Sequence, residues 1–275
     1  MEIRLAAKER QPLQDLLMEQ YGFDLSLFNF SFVRRATSRY MVHHGLEKGS
    51  ELLTHLTAQP KRWETYQQFL IAPGNELFRE PDFWRRMRID ILPRLAEIKS
   101  VIKFWVVGLG SGEDLASLLL CLHELGISRQ AQILATEMSH NALQEGRMLM
   151  FPTPKLEPSL KNYKAMATGT DTPDGLEVRS RHFELAGDVW ADVNYQTHTP
   201  QLKSPWPGPF DCILCRNLLI YYHFDHLESV QKNLLAPLRE SGYLALGPLE
   251  PVAENLQGRL RSYADAEGIF QKVPW

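Results

Sequence analysis

FWVVGLGSGEDLASLLLCLHEL (residues 104–125) joins two periodicities across a glycine-rich turn. Val101–Val107 is β-branched and aromatic, the composition of a buried strand. After Gly112 the apolar positions Leu115, Leu118, Leu119, Leu122 and Leu125 recur at helical spacing. Gly108-Leu109-Gly110-Ser111-Gly112 is therefore a strand-to-helix turn, with glycine where the backbone must adopt unusual angles or let a ligand approach.

Outward from this turn the pattern is strand, turn, helix, a second strand AQILATE, and a helix over Ser139–Met150. That is a βαβ unit, which implies a parallel sheet with a right-handed crossover. Before residue 99 the signal is helical: Gln11–Tyr21, Ser31–His44, Gly49–Ala58, Trp63–Ile71 and Pro81–Ile98. The expected division is a helical unit over 1–99 and an α/β unit over 100–275. Residues 151–182, with FPTPKLEPS and ATGTDTPDG, form a turn-rich insertion holding a short helix. The sheet is expected to resume with Val178–Leu185, FDCILC, a helix Phe224–Arg239 and strand Gly242–Leu246. GIFQKV is expected to be a last, antiparallel strand at an edge or in a hairpin.

The 275 residues carry a net charge of −3, which gives no global attraction to nucleic acid or anionic membrane. No apolar run reaches the length of a spanning helix, and MEIRLAAKERQPL is too polar for a signal peptide, so a cytoplasmic protein without membrane insertion is expected. Cys212 and Cys215 form C-x-x-C, but in a strand they point to opposite faces. With Cys121 in the helix, they read as reduced core thiols. The nine histidines lack partners at metal-ligand spacing, so no metal is expected.

In open α/β sheets ligands bind beyond the carboxyl ends of the strands. Three ends carry suitable residues. GLGSGED offers backbone amides with Glu113 in the first helical turn. Glu137, twenty-five residues after Gly112, is placed to accept hydrogen bonds from two ribose hydroxyls. Arg216-Asn217 ends FDCILCRN. Singly, these are a dipole-complementing acid, a surface acid and a turn. Together they favour a nucleoside-bearing ligand. The dinucleotide pattern would place a third glycine where Glu113 stands. A carboxylate there repels a pyrophosphate and suits a cation such as the amino group of S-adenosylmethionine.

These segments resemble the CheR-type chemoreceptor methyltransferases. FDCILCRNLLIYYHFDHLESVQKNLLAPLRESGYLALGPLE is similar to their F-D-x-I-x-C-R-N-x-x-I-Y block and the helix and strand that follow. W-V-V-G-L-G-S-G-E-D resembles their W-x-x-G-x-S-T-G-E-E loop, ILATEMSHNALQEGR their A-T-D-I-x-x-x-x-L-x-x-A-R block, and ELFREPDFW their T-x-F-F-R-E segment. The likeness spans roughly residues 15–273. It implies a Rossmann-like class I methyltransferase domain, α/β with a mostly parallel sheet, behind an all-helical N-terminal domain and with a small β-subdomain inserted. It implies S-adenosylmethionine as donor, S-adenosylhomocysteine as product, and a receptor glutamate as acceptor.

By resemblance, Gly108, Gly110, Glu113, Glu137 and Met138 contact the donor, as do Asn217 and Leu218. Asn75, Arg79 and Asp188 join them, and Arg79 and Tyr221 face the transferred methyl and the acceptor carboxylate. Ala72-Pro73-Gly74-Asn75 stands where the family has T-N-x-T, Gly110-Ser111 replaces Ser-Thr, and Glu137 replaces Asp. The family's adenine-side asparagine-leucine is expected within Ala186-Gly187-Asp188-Val189. Arg35 and Arg39 lie four apart on one helix face with Arg34 beside them, a basic surface for an acidic receptor helix. A methyltransferase of another acceptor and a non-catalytic cofactor-binding scaffold are the alternatives.

Overall fold

The computed structural model describes residues 7–71, 76–166, 169–203, 206–264 and 266–273. Four helices come first: α1 (Arg10–Tyr21), α2 (Phe30–His43), α3 (Gly49–Ala58) and α4 (Pro60–Phe69). The segment expected as one helix over 81–98 is α5 (Pro81–Arg86), a π-helical turn (Met87–Ile91) and α6 (Leu92–Ile98). Pro93 explains the break: it has no N–H to donate, and its ring crowds the carbonyl four residues back, so the preceding turn widens.

The sheet then starts with β1 (Ile102–Val107), α7 (Glu113–Glu124), β2 (Ala131–Glu137) and α8 (His140–Gly146). Helix α8 stops short of Met150 because Leu149 takes a left-handed conformation (φ 49°) and the chain enters β3 (Met150–Pro152). After α9 (Leu156–Ala165) come β4 (Leu176–Val178), β5 (His182–Leu185) and β6 (Asp192–Thr197). β7 (Phe210–Cys215), α10 (Phe224–Leu235), β8 (Leu238–Leu246), β9 (Leu260–Ala264) and β10 (Ile269–Lys272) complete the chain.

The main sheet has seven strands in the order β6-β2-β1-β7-β8-β10-β9. Neighbours from β6 to β8 pair parallel, and β10 is antiparallel to both β8 and β9. β10 thus lies inside the sheet, and β9 forms the edge. The expected strand Val178–Leu185 is corrected: it splits into β4 and β5, and β5 pairs with both β3 and β4 in a separate antiparallel sheet. Phe151 and Phe183 bury their rings there, 5.4 Å apart. The main sheet takes β6 in its place. DVNYQT carries little apolar signal because this edge strand is largely exposed.

Alternation along β1 sorts the core. Phe104 and Val106 join the cluster formed with α5, α6 and α7, while Trp105 and Val107 join that formed with α1–α4 and α10. Cys212 and Cys215 fall in opposite clusters, and all three cysteines are free and buried. Helices α1–α4 therefore pack on one face of the sheet, against the switch point where β1 lies between β2 and β7, while α5 and α6 pack on the other. Among the described residues no helix is long and apolar enough to cross a membrane.

Candidate functional site

The loop after β1 is tied to the end of β2, since the Gly108 and Leu109 amides both donate to Thr136 O at 2.9 Å. Gly112 must be glycine: its φ is 94°, and a Cβ would stand 2.6 Å from Gly146 O of α8. Gly110, also left-handed at φ 55°, faces open space.

Glu137, at the end of β2, is buried. Its Oε2 accepts from Gly110 N at 2.9 Å and its Oε1 from Met138 N at 2.6 Å. Burial raises its pKa, and the amide bonds oppose that rise. A carboxylate accepts about four hydrogen bonds, and with the Ser139 amide also bonded to it, Glu137 keeps room for about one more donor. Around Glu137 lies a narrow cleft of about 30 Å³, lined by Gly108, Gly110, Met138, His198, Leu218, Tyr221 and Tyr222, and closed by Phe28, Phe32, Leu70 and Ile71. A nucleoside enters only as these walls part.

His198, which sequence reasoning missed, follows β6 into this cleft. Its amide donates to Glu137 O at 3.0 Å, while its buried Nδ1 has no protein partner. Burial pushes its pKa down to about 3, so the ring is neutral at physiological pH. An orphaned ring nitrogen beside a ribose-ready carboxylate fits a nucleobase. The only signal was the weak polar alternation of β6. Asp188 is exposed, and its neighbour Val189 packs over Gly175 beside Leu120 and His123, near the far end of α7. At 1.5 Å per residue that is roughly 15 Å along the helix from Glu113.

Beyond β7, Arg216 is buried. It donates to Asp114 Oδ1 (2.9 Å), Glu80 Oε2 (2.6 Å) and the Arg79 carbonyl (3.0 Å), with its guanidinium 3.9 Å from the Phe83 ring centroid. These bonds pin a turn in which Phe78 and Glu80 both have positive φ, 53° and 61°. Arg79 is thus held beside the start of α7, its Nε 3.6 Å from Glu80 Oε1. Asn75 lies outside the described residues.

A second missed residue is Glu250. Its buried carboxylate accepts from the amides of Asn217 (2.8 Å), Ile220 (3.2 Å), Leu219 and Gly247. It fastens the turn after β7 to the turn after β8, and in the sequence it was one acid after a Gly-Pro pair. Asn217 itself is left-handed (φ 56°), with its carboxamide oxygen over Gly247, whereas Leu218 covers Gly108. The Tyr221 ring lies 4.5 Å from that of Phe32, and Asn29 N donates to Tyr221 O at 2.8 Å, so α2 abuts the site.

Glu113 opens α7, buried and ion-paired with Lys155 from the turn before α9. Its pKa is raised by burial and lowered by Lys155. Beside it opens a cavity of about 620 Å³ lined by Gly110, Ser111, Lys155 and Arg39 among others. Arg35 and Arg39 are exposed on α2, and Arg39 donates to Phe69 O at 2.9 Å. Arg34 is half-buried, with its guanidinium 6.0 Å from the Phe30 ring centroid. No three His, Cys, Asp or Glu side chains among the described residues could hold a metal.

Comparison with known proteins shows the family. The family model described as CheR methyltransferase, SAM binding domain, matches residues 75–266. Chemotaxis protein methyltransferase 1 of Vibrio cholerae is 28% identical over 278 residues, covering 98% of each chain. The chemotaxis protein methyltransferase of Vibrio anguillarum is 27% identical over 283 residues, again covering 98% of each. That of Listeria monocytogenes is 21% identical over 232 residues, covering 84% of this chain and 85% of its own. The chain therefore belongs to the CheR methyltransferase family, with a domain built to bind S-adenosylmethionine.

Proposed function

We propose that the protein esterifies glutamate side chains on an acidic helical segment of a chemoreceptor, producing glutamyl γ-methyl esters and S-adenosylhomocysteine in the cytoplasm. S-adenosylmethionine supplies a methyl group activated by its sulfonium. In this reading Glu137 holds the ribose, Leu218 and Met138 wall the nucleoside, and Glu113 takes the amino group. Arg79 orients the acceptor by binding one carboxylate oxygen, and Tyr221 adds a hydrogen bond. Arg34, Arg35 and Arg39 meet the acidic helix. The helical unit 1–99 then serves acceptor recognition, and 100–275 the transfer.

The observations that support the acceptor assignment are the match to the CheR methyltransferase model over residues 75–266 and the exposed Arg35 and Arg39 on α2, which suit an acidic helix. An acceptor that is already ionised needs no base, and a glutamate carboxylate is ionised above about pH 6. The chain's work is then alignment.

The test is transfer of labelled methyl to receptor-bearing membranes, followed by mild alkali. An ester releases methanol. A base-stable product transfers the assignment to a different acceptor, and donor binding with no transfer to any acceptor would make the chain a scaffold.

A further inference from the structure

Leu249, 84% exposed, and Phe224, 73% exposed, are the most solvent-facing large apolar side chains among the described residues. Both stand at the carboxyl end of the sheet, Phe224 opening α10 after β7 and Leu249 in the turn after β8. Ile220, 36% exposed, lies on the short turn Leu219–Tyr221. These turns adjoin: Glu250, next in sequence to Leu249, accepts from Ile220 N at 3.2 Å. Single apolar residues on a surface are ordinary, but three on adjoining turns make a patch. Leu218 and Tyr221, on either side of Ile220, line the cleft around Glu137, so the patch stands at the cleft's rim.

The charges flanking the patch indicate what covers it. Asn29, which precedes α2, donates from Nδ2 to Ile220 O at 3.0 Å and from its amide to Tyr221 O at 2.8 Å. The patch therefore runs on into α2, which carries Arg34, Arg35 and Arg39. On the other flank Asp225, 60% exposed, follows Phe224. An acidic partner is drawn to the α2 side and repelled at Asp225, so the face it turns to Phe224 and Leu249 must be uncharged. We propose that Ile220, Phe224 and Leu249 form an apolar platform that holds the acceptor helix beside the cleft. The inference rests on the acceptor reading above. The platform covers apolar residues of that helix while the α2 arginines meet its acids. Residues three or four positions apart share a helix face, so the acceptor glutamate is selected by apolar residues at that spacing from it.

Methyl transfer to receptor-bearing membranes by Phe224→Ser combined with Leu249→Ser tests the platform. The KM for receptor should rise about tenfold, as two apolar contacts are lost. The kcat at saturating receptor and the affinity for S-adenosylhomocysteine should stay within about twofold, because neither residue lines the cleft. The rise should persist at high salt, which screens charges and not apolar contacts. Phe224→Leu with Leu249→Met should keep the wild-type KM. An unchanged KM in the serine variant, or a matching loss of kcat or S-adenosylhomocysteine affinity, would overturn the platform. Should the double variant fail to fold, Leu249→Ser alone decides by the same KM. A wild type that transfers no methyl to receptor rejects the occupant together with the acceptor reading, whereas wild-type transfer with an unchanged variant KM rejects the platform alone.

Discussion

His198 shows how one residue can matter without a recognisable motif. Its ring is neutral in the folded protein because burial strips the imidazolium of water. In the unfolded chain the same ring titrates near pH 6.5, so the folded pKa is the lower of the two. The unfolded state then binds more protons between about pH 6.5 and 3, and stability is lost as pH falls through that window. The slope for one proton is about 1.4 kcal/mol per pH unit. Denaturant titrations of wild type and His198→Gln between pH 7 and 4.5 should differ by about that slope. Parallel pH profiles would mean that His198 is hydrated when folded. His198 was illegible in the sequence because a histidine after a polar edge strand has no pattern of its own. Glu137 was legible because it ends an apolar strand at a set distance from the glycines.

At the scale of elements, the turn after β7 depends on Glu250 as much as on its own residues. Four amides converge on one carboxylate, and Asn217 takes a left-handed conformation within that cradle. Glu250→Gln keeps the shape but turns donors toward donors. It should cost about 1–3 kcal/mol of stability, the penalty for leaving a buried donor unsatisfied. It should also weaken S-adenosylhomocysteine binding, because Leu218 and Tyr221 on the same turn wall the cleft. Unchanged affinity at reduced stability would confine Glu250 to folding. The elements nearest the core were the most legible: β1, α7, β2 and β7 announce themselves by apolar periodicity. The small sheet was not, because strands of three and four residues are too short for alternation to register. That error carried β6 with it, and with β6 the place of His198 in the cleft.

Across the whole molecule, helix α2 runs between the apolar core and the protein surface. Its inner face, Phe32, Val33, Ala36, Tyr40 and Met41, is buried in the same apolar cluster as Trp105 and Val107 of β1. Phe32 reaches the cleft, while Arg35 and Arg39 are exposed on the opposite face. A helix docked on those arginines would lie against the cleft without entering it. The chain's net charge of −3 supplies no long-range pull on an acidic partner, so attraction must come from this local patch. Exposed charges are screened over roughly 8 Å at physiological ionic strength, so docking should weaken as salt rises. Arg35→Glu combined with Arg39→Glu should raise the apparent KM for receptor about tenfold or more, as like charges meet across the interface. Arg35→Glu alone should leave S-adenosylhomocysteine affinity unchanged, since Arg35 lines neither the cleft around Glu137 nor the cavity beside Glu113. The KM of the double variant should also lose its rise with salt, and could fall as salt screens the new repulsion. A wild-type KM indifferent to salt, or a double variant with wild-type KM, would place the acceptor on another face and leave α2 as a structural brace for the site.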